Sequence, residues 1–112
     1  MNTLDLLRQL ISIDSPTGFT HNAVDFIDST LRGYGFQPQR TRKGALRCSL
    51  GTSPRLALAA HTDTLGAIVS GVNSNGTLKF SLLGGPLLPS FEGGYVRIHT
   101  LDDRVYSGTL LL

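Results

Sequence analysis

Two helices are predicted at the start of the chain from the spacing of its apolar residues. The first follows Thr3, which we expect to cap it, and ends at the turn Ser15-Pro16-Thr17-Gly18. Its apolar stripe consists of Leu4, Leu7, Leu10 and Ile11. The second helix follows Thr20 and is closed by Gly33 and Gly35. Its apolar face consists of Ala23, Val24, Ile27 and Leu31.

The apolar pattern changes to a period of two after the helices. Residues 36–42 and 45–50 flank Lys43-Gly44 and are predicted to pair as a hairpin. Residues 56–60, Leu-Ala-Leu-Ala-Ala, are continuously apolar, which is typical of a strand buried on both faces of a sheet. Helices followed by such a strand predict the α/β class, at the start of an α/β sandwich.

Short strands without helices are predicted from Leu65 onward. They cover residues 67–72, 78–83, 95–99 and 105–112 and are separated by turns. We therefore expect residues 1–64 to belong to an α/β domain and residues 65–112 to form part of a β-rich, barrel-like domain. Since the chain ends in Leu110-Leu111-Leu112, we expect the last strand to be interrupted, as in a portion of a longer protein.

Composition narrows the function classes without selecting one. The 112 residues are 40% hydrophobic and 16% charged, which suits a folded protein. No apolar run is long enough to span a membrane, and no signal peptide pattern opens the chain. A single cysteine, Cys48, agrees with a cytoplasmic location. The net charge of +2 is too small to argue for nucleic acid, and no aromatic residues interleave the basic residues Arg40, Arg42, Lys43, Arg47 and Arg55.

His61-Thr62-Asp63 is the strongest candidate site, because it follows the predicted buried strand directly. Ligands in open α/β sheets gather at the carboxyl ends of strands. An imidazole is a common zinc ligand, and a carboxylate two residues away could accept its other ring N–H. The spacing alone equally allows a His–Asp hydrogen bond with no metal. It supplies one ligand, whereas a zinc site needs three or four.

The remaining titratable residues are weaker candidates. His21 is expected at an exposed helix start, and His99 within a strand. Asp102-Asp103-Arg104 is predicted to be a turn, and Glu92 to lie in a loop. Cys48 has polar neighbours in a predicted hairpin strand and nothing beyond Arg47 to activate its thiol.

The sequence as a whole resembles the co-catalytic zinc exopeptidases. The opening segment Leu10-Ile11-Ser12-Ile13-Asp14-Ser15-Pro16-Thr17-Gly18 and the segment Leu58-Ala59-Ala60-His61-Thr62-Asp63 carry this resemblance. The later segments Leu65-Gly66-Ala67-Ile68-Val69 and Tyr95-Val96-Arg97-Ile98-His99-Thr100 resemble the tetrahedral, glutamyl and deblocking aminopeptidases. In that branch an inserted β-rich domain follows the histidine strand. Thr64-Leu65 departs from the family, which often has an acidic residue and an isoleucine there.

The resemblance implies that the chain is the N-terminal portion of a di-metal aminopeptidase. His61 would bind one of two divalent ions, zinc or cobalt, and Asp63 would orient His61. The general base and other ligands would come from later residues, so we expect this portion to be inactive alone and to hold at most one ion weakly. A peptide would be the substrate, and residues 65–112 would support a homo-oligomer, with neither nucleic acid nor membrane as partner.

Two other interpretations remain open at this stage. One is an amidohydrolase of the acetylornithine deacetylase-like branch, which would cleave acylated amino acids. The other is a non-catalytic self-association module, because an incomplete barrel with unpaired edges can pair with a second copy.

Overall fold

The computed structural model describes residues 2–111 and begins with helix α1, Thr3–Ile11. The capping prediction was one residue late, because Asn2 is the cap and its side-chain oxygen accepts from the Asp5 amide at 2.9 Å. An asparagine in extended backbone satisfies a donor that the first turn leaves free. Thr3 is instead the first helical residue.

Helix α2, His21–Gly33, follows Thr20 as predicted. Thr20 stands at the cap position but makes no side-chain capping bond. Tyr34 is the C-cap, and Gly35 takes a positive φ of 87°, which glycine adopts without steric cost. An apolar cleft between the two helices is lined by Leu6, Leu10, Phe26, Ile27, Leu31 and Tyr34. The stripe predicted on α1 is therefore wrong in part, because Leu10 lines the cleft together with Leu6 whereas Leu4, Leu7 and Ile11 are exposed. On α2, Ile27 and Leu31 line the cleft as predicted.

The first hairpin is shorter than the sequence predicts. Strand β1, Gln39–Arg40, pairs antiparallel with β2, Leu46–Arg47, around the turn that contains Gly44. Cys48 lies just beyond β2 and is half-buried, so its placement in the hairpin strand was wrong by one residue.

The predicted buried strand at residues 56–60 is wrong for this structure. The segment is exposed and forms no strand, with Leu56 79% and Leu58 91% exposed. A strand buried on both faces needs neighbouring strands and covering helices. No described residue pairs with this segment, so its apolar side chains stay in water.

Two longer antiparallel hairpins form the second half of the described chain. Strand β3, Gly66–Val72, pairs with β4, Leu78–Leu83, with a bulge between Val69 and Gly71. After a short 3-10 turn at Leu88–Ser90, β5, Tyr95–His99, pairs with β6, Val105–Thr109. These four strands match the predicted ones closely, although β6 ends at Thr109 and Leu112 lies outside the described residues.

Little of the described chain is buried. Ala23, Ser15 and Pro38 are the buried residues among positions 2–111. A pocket between the two long hairpins has an apolar lining that includes Leu65, Leu82, Pro86, Leu88, Phe91 and Val96. None of the described helices has the length and apolar character needed to cross a membrane. The mixed helix and strand content agrees with the predicted α/β class.

Candidate metal-ligand site

His61 and Asp63 are joined by a hydrogen bond at the end of the exposed apolar segment. His61 Nδ1 lies 3.0 Å from Asp63 Oδ1 and 3.1 Å from the Asp63 backbone oxygen. Both oxygens can only accept when the carboxyl is ionised, so these contacts require the ring proton on Nδ1. The neutral ring then keeps its lone pair on Nε2. Since the His61 side chain is 86% exposed, this lone pair on Nε2 is accessible to a metal ion from solvent.

Thr17 completes a chain of hydrogen bonds through Asp63. The Thr17 hydroxyl donates to Asp63 Oδ2 at 2.8 Å, while Oδ1 of the same carboxylate faces His61. The Thr17 bond, and then the His61 bond, lower the pKa of the Asp63 carboxyl below its ordinary value. Asp63 is therefore an ionised acceptor for both partners.

The loop Ser15-Pro16-Thr17-Gly18, here called the docking loop, runs beside residues 62–64. The buried Ser15 hydroxyl donates to the Thr62 carbonyl at 2.8 Å. The Thr64 amide donates to the Ser15 carbonyl at 2.8 Å, and Pro16 and Thr64 form a parallel bridge. The docking loop, which follows α1 in the chain, thus fixes the backbone around His61 and Asp63.

The docking loop also packs against the start of β3. A Cβ placed on Gly66 would lie 2.6 Å from Pro16 Cβ, a distance that real atoms avoid. Gly66 therefore permits the close approach of the loop to the strand. Gly18 has a φ of 89° and the Phe19 amide returns to the Pro16 carbonyl at 2.8 Å, so the loop closes as a tight turn.

The sequence indicates His61 and Asp63 as site residues but not Thr17 and Ser15. From the sequence alone the loop is predicted only to end a helix, because serine, proline and glycine are ordinary turn residues. Its adjacency to His61 depends on contacts between residues 46 or 47 positions apart, as the two loop hydroxyls show. The one available signal was that the docking loop and the His61 segment both carry the family resemblance.

A second polar cluster links the end of α1 to β5. Asp14 accepts from Arg97 Nε at 2.6 Å and lies 2.8 Å from His99 Nε2. The Phe19 ring contacts the rings of both His21 and His99, with centroid separations of 4.7 and 4.8 Å. The two histidines therefore meet at Phe19, a contact that the sequence did not predict.

The acidic turn and loop predictions are confirmed. Asp102 lies in the turn between β5 and β6, where it accepts from Arg104 and Thr100, and these bonds lower its pKa. Glu92 lies in an exposed turn. Within positions 2–111, no three or more His, Cys, Asp or Glu side chains are grouped closely enough to hold a metal ion.

Comparison with known proteins decides the family. The family model described as M42 glutamyl aminopeptidase matches residues 44–112, which is more than half of the chain. The chain belongs to the M42 glutamyl aminopeptidase family. The match includes His61, Asp63 and all four long strands, and it confirms the family that the resemblance named.

Individual relatives of the M42 chain agree with this assignment. The protein named "Putative aminopeptidase YhfE" of Bacillus subtilis strain 168 is 40% identical over 98% of this chain and 33% of its own length. The glutamyl aminopeptidase of Lactococcus lactis subsp. cremoris is 29% identical over 80% of this chain and 27% of its own. The chain therefore spans about a third of the length of the curated relatives it matches.

A solved aminopeptidase structure has the same fold as this chain. The crystal structure of the TET aminopeptidase from the marine sediment archaeon Thaumarchaeota archaeon SCGC AB-539-E09 superposes with a TM-score of 0.85 and 26% identity. The match covers 95% of this chain and 30% of that one. The two helices and three hairpins therefore follow an aminopeptidase fold, which favours that class over the deacylase and self-association alternatives.

Proposed function

We propose that this chain forms the part of a metal-dependent aminopeptidase that contains its first metal ligand, His61. The observation that carries the proposal is the His61–Asp63 pair, in which Nδ1 is held by a carboxylate and Nε2 is left open. Membership of the M42 family supports hydrolysis of N-terminal residues from peptides as the reaction of the longer protein.

The residues fit one ligand position of a divalent metal. A ligating histidine usually donates its other ring N–H to a carboxylate, which fixes the tautomer and raises the basicity of the ligating nitrogen. His61 and Asp63 have this arrangement. Two bound ions, zinc or cobalt, would supply a polarised carbonyl and an activated water. His61 would hold one ion through Nε2, and Asp63 would orient the ring.

Further ligands and the general base are needed for catalysis. Since no group of three ligating side chains occurs among residues 2–111, we expect these groups from the part of the relatives' length that this chain does not span. The 112-residue chain should therefore be inactive as a peptidase and should bind at most one ion weakly.

The two predicted domains would have different roles in the longer protein. Residues 1–64 would form part of the catalytic α/β domain, and residues 65–112 part of the inserted β-rich domain. We propose that the β-rich part supports a homo-oligomer, in line with the TET aminopeptidase that the chain resembles. A cytoplasmic location stays a prediction from the sequence.

Zinc titration of the chain tests the role of His61. We expect zinc to shift the nitrogen-15 resonances of the His61 ring at Nε2, and His61→Gln to abolish the binding. His21→Gln is the matched control, because His21 is exposed and contacts Phe19 rather than Asp63. Equal binding by the His61→Gln variant and the parent chain would contradict the proposal.

Substrate profiling of the longer protein tests the reaction. We expect peptides with a free N-terminus to be cleaved and N-acylated amino acids to be spared. Cleavage of the acylated compounds alone would replace the proposal by the amidohydrolase alternative. Peptidase activity from the pure 112-residue chain would contradict the statement that this part lacks most of the site.

A further inference from the structure

We propose that Thr17 is a positioning residue for the metal ligand, acting through Asp63 to hold the His61 ring in one tautomer and one orientation. The inference deepens the proposed function and rests on it for the role of the metal. The hydrogen bonds that carry the inference are a property of the chain itself. They run from Thr17 Oγ1 to Asp63 Oδ2 at 2.8 Å and from Asp63 Oδ1 to His61 Nδ1 at 3.0 Å.

Packing does not hold His61 and Asp63 in place. Their side chains are 86% and 41% exposed, so both could change rotamer freely. The terminal torsion of an aspartate is also broad, so its carboxylate can rotate about the bond that carries it. Hydrogen bonds must therefore hold these two side chains in place, as packing does for buried side chains.

Thr17 supplies this order because it engages the oxygen that His61 leaves free. With Oδ2 held by the hydroxyl, rotation of the carboxylate would break one bond and weaken the other. Hydrogen bonds to an ionised acceptor are stronger than those between neutral groups. The threonine χ1 is further restricted by its branched Cβ, so the hydroxyl points in few directions.

The docking loop gives Thr17 a fixed base. Two hydrogen bonds hold the loop to the backbone on both sides of Asp63. The Ser15 hydroxyl donates to the Thr62 carbonyl, and the Thr64 amide donates to the Ser15 carbonyl. Pro16 is held against Gly66 at the start of β3. The hydroxyl therefore approaches Asp63 from a segment that α1 and β3 locate, rather than from a free loop.

The test uses the isotopically labelled chain and two substitutions at one position. Thr17→Val keeps the shape and removes the hydroxyl, whereas Thr17→Ser keeps the hydroxyl. Nitrogen-15 resonances of the His61 ring, recorded near pH 8.5 where imidazoles are ordinarily neutral, report the tautomer directly. Thr52→Val is the matched control, because Thr52 lies in an exposed loop and makes no side-chain hydrogen bond among the described residues.

We expect the parent chain and Thr17→Ser to show a His61 ring protonated at Nδ1. Thr17→Val should show a mixture of tautomers and bind zinc about tenfold more weakly, as for other partners of ligating residues. A fixed Nδ1–H tautomer in Thr17→Val, or a mixture in the parent chain, would overturn the proposal. A tautomer difference without zinc binding in any variant would refute the metal site and leave the positioning role intact.

Discussion

Pro16 of the docking loop lies against Gly66 at the start of β3. We predict that Gly66→Ala separates them, since the added Cβ would lie 2.6 Å from Pro16 Cβ and the proline ring cannot swing aside. Hydrogen exchange of the Thr64 amide, which donates to Ser15, should become faster. The His61 ring should also lose its single tautomer, because Thr17 moves with the loop.

Gly71→Ala is the control for this substitution. It lies in the same strand, and a Cβ there would meet no atom within 4 Å. Both glycines have ordinary negative φ values, so the comparison isolates the steric contact. Unchanged Thr64 exchange in Gly66→Ala would show that the loop tolerates the extra methyl group.

The site illustrates what a sequence can reveal at this scale. His61 and Asp63 could be selected because their types, spacing and position after an apolar run all point to one chemistry. Thr17 could not, because a hydroxyl in a turn has many ordinary roles and its partner is 46 positions away. Functional residues within one short segment can therefore be predicted from the sequence. A residue that contacts them from a distant segment can be identified only once the fold is known.

At the scale of elements, the cluster of Asp14, Arg97 and His99 connects α1 to β5. The Arg97 hydrogen bond, together with the one from His99, lowers the pKa of Asp14 to about 2, although partial burial opposes this shift. A carboxyl group whose pKa is lower in the folded chain than in the unfolded chain stabilises the folded contact at pH values above its unfolded pKa. That contribution is lost as the pH falls from 3.8, the ordinary pKa of an aspartate, to about 2.

We therefore predict that acid separates β5 from the end of α1 within this pH window. Ring-proton shifts of Phe19, which contacts His99, should follow the titration of Asp14. Asp14→Asn should weaken the contact already at neutral pH and remove the acid step. Asp5→Asn is the control, because Asp5 lies at the exposed start of α1. An identical acid transition in Asp14→Asn would assign the step to another carboxylate.

Elements differed in how well the sequence predicted them. The long hairpins were predicted within a few residues because turn residues and alternating patterns are local signals, and each strand finds its partner next along the chain. Residues 56–60 failed because a continuous apolar run requires partners that the described residues do not provide. The helix start was misplaced by one residue since Asn2 and Thr3 are both good caps.

At the scale of the whole molecule, the chain is extended and leaves much apolar surface in water. Its radius of gyration is 17.4 Å, with extents of 59 × 30 × 27 Å. A globular domain of roughly 100 residues has a radius of about 13 Å. Each of the three described sheets has two strands, so every strand in them leaves one edge unpaired. Exposed apolar patches and free strand edges favour association.

We predict that the isolated chain self-associates through this surface and that Leu58→Lys reduces the association. Leu58 is 91% exposed in the apolar segment before His61, so a lysine there removes apolar surface and adds charge without disturbing a packed core. Thr52→Lys adds the same charge in an exposed polar loop and should leave association unchanged. Sedimentation velocity over a concentration series measures the effect.

A parent chain that sediments as a monomer at every concentration would show that the exposed surface does not drive pairing. Equal association of both lysine variants would place the contact elsewhere on the chain.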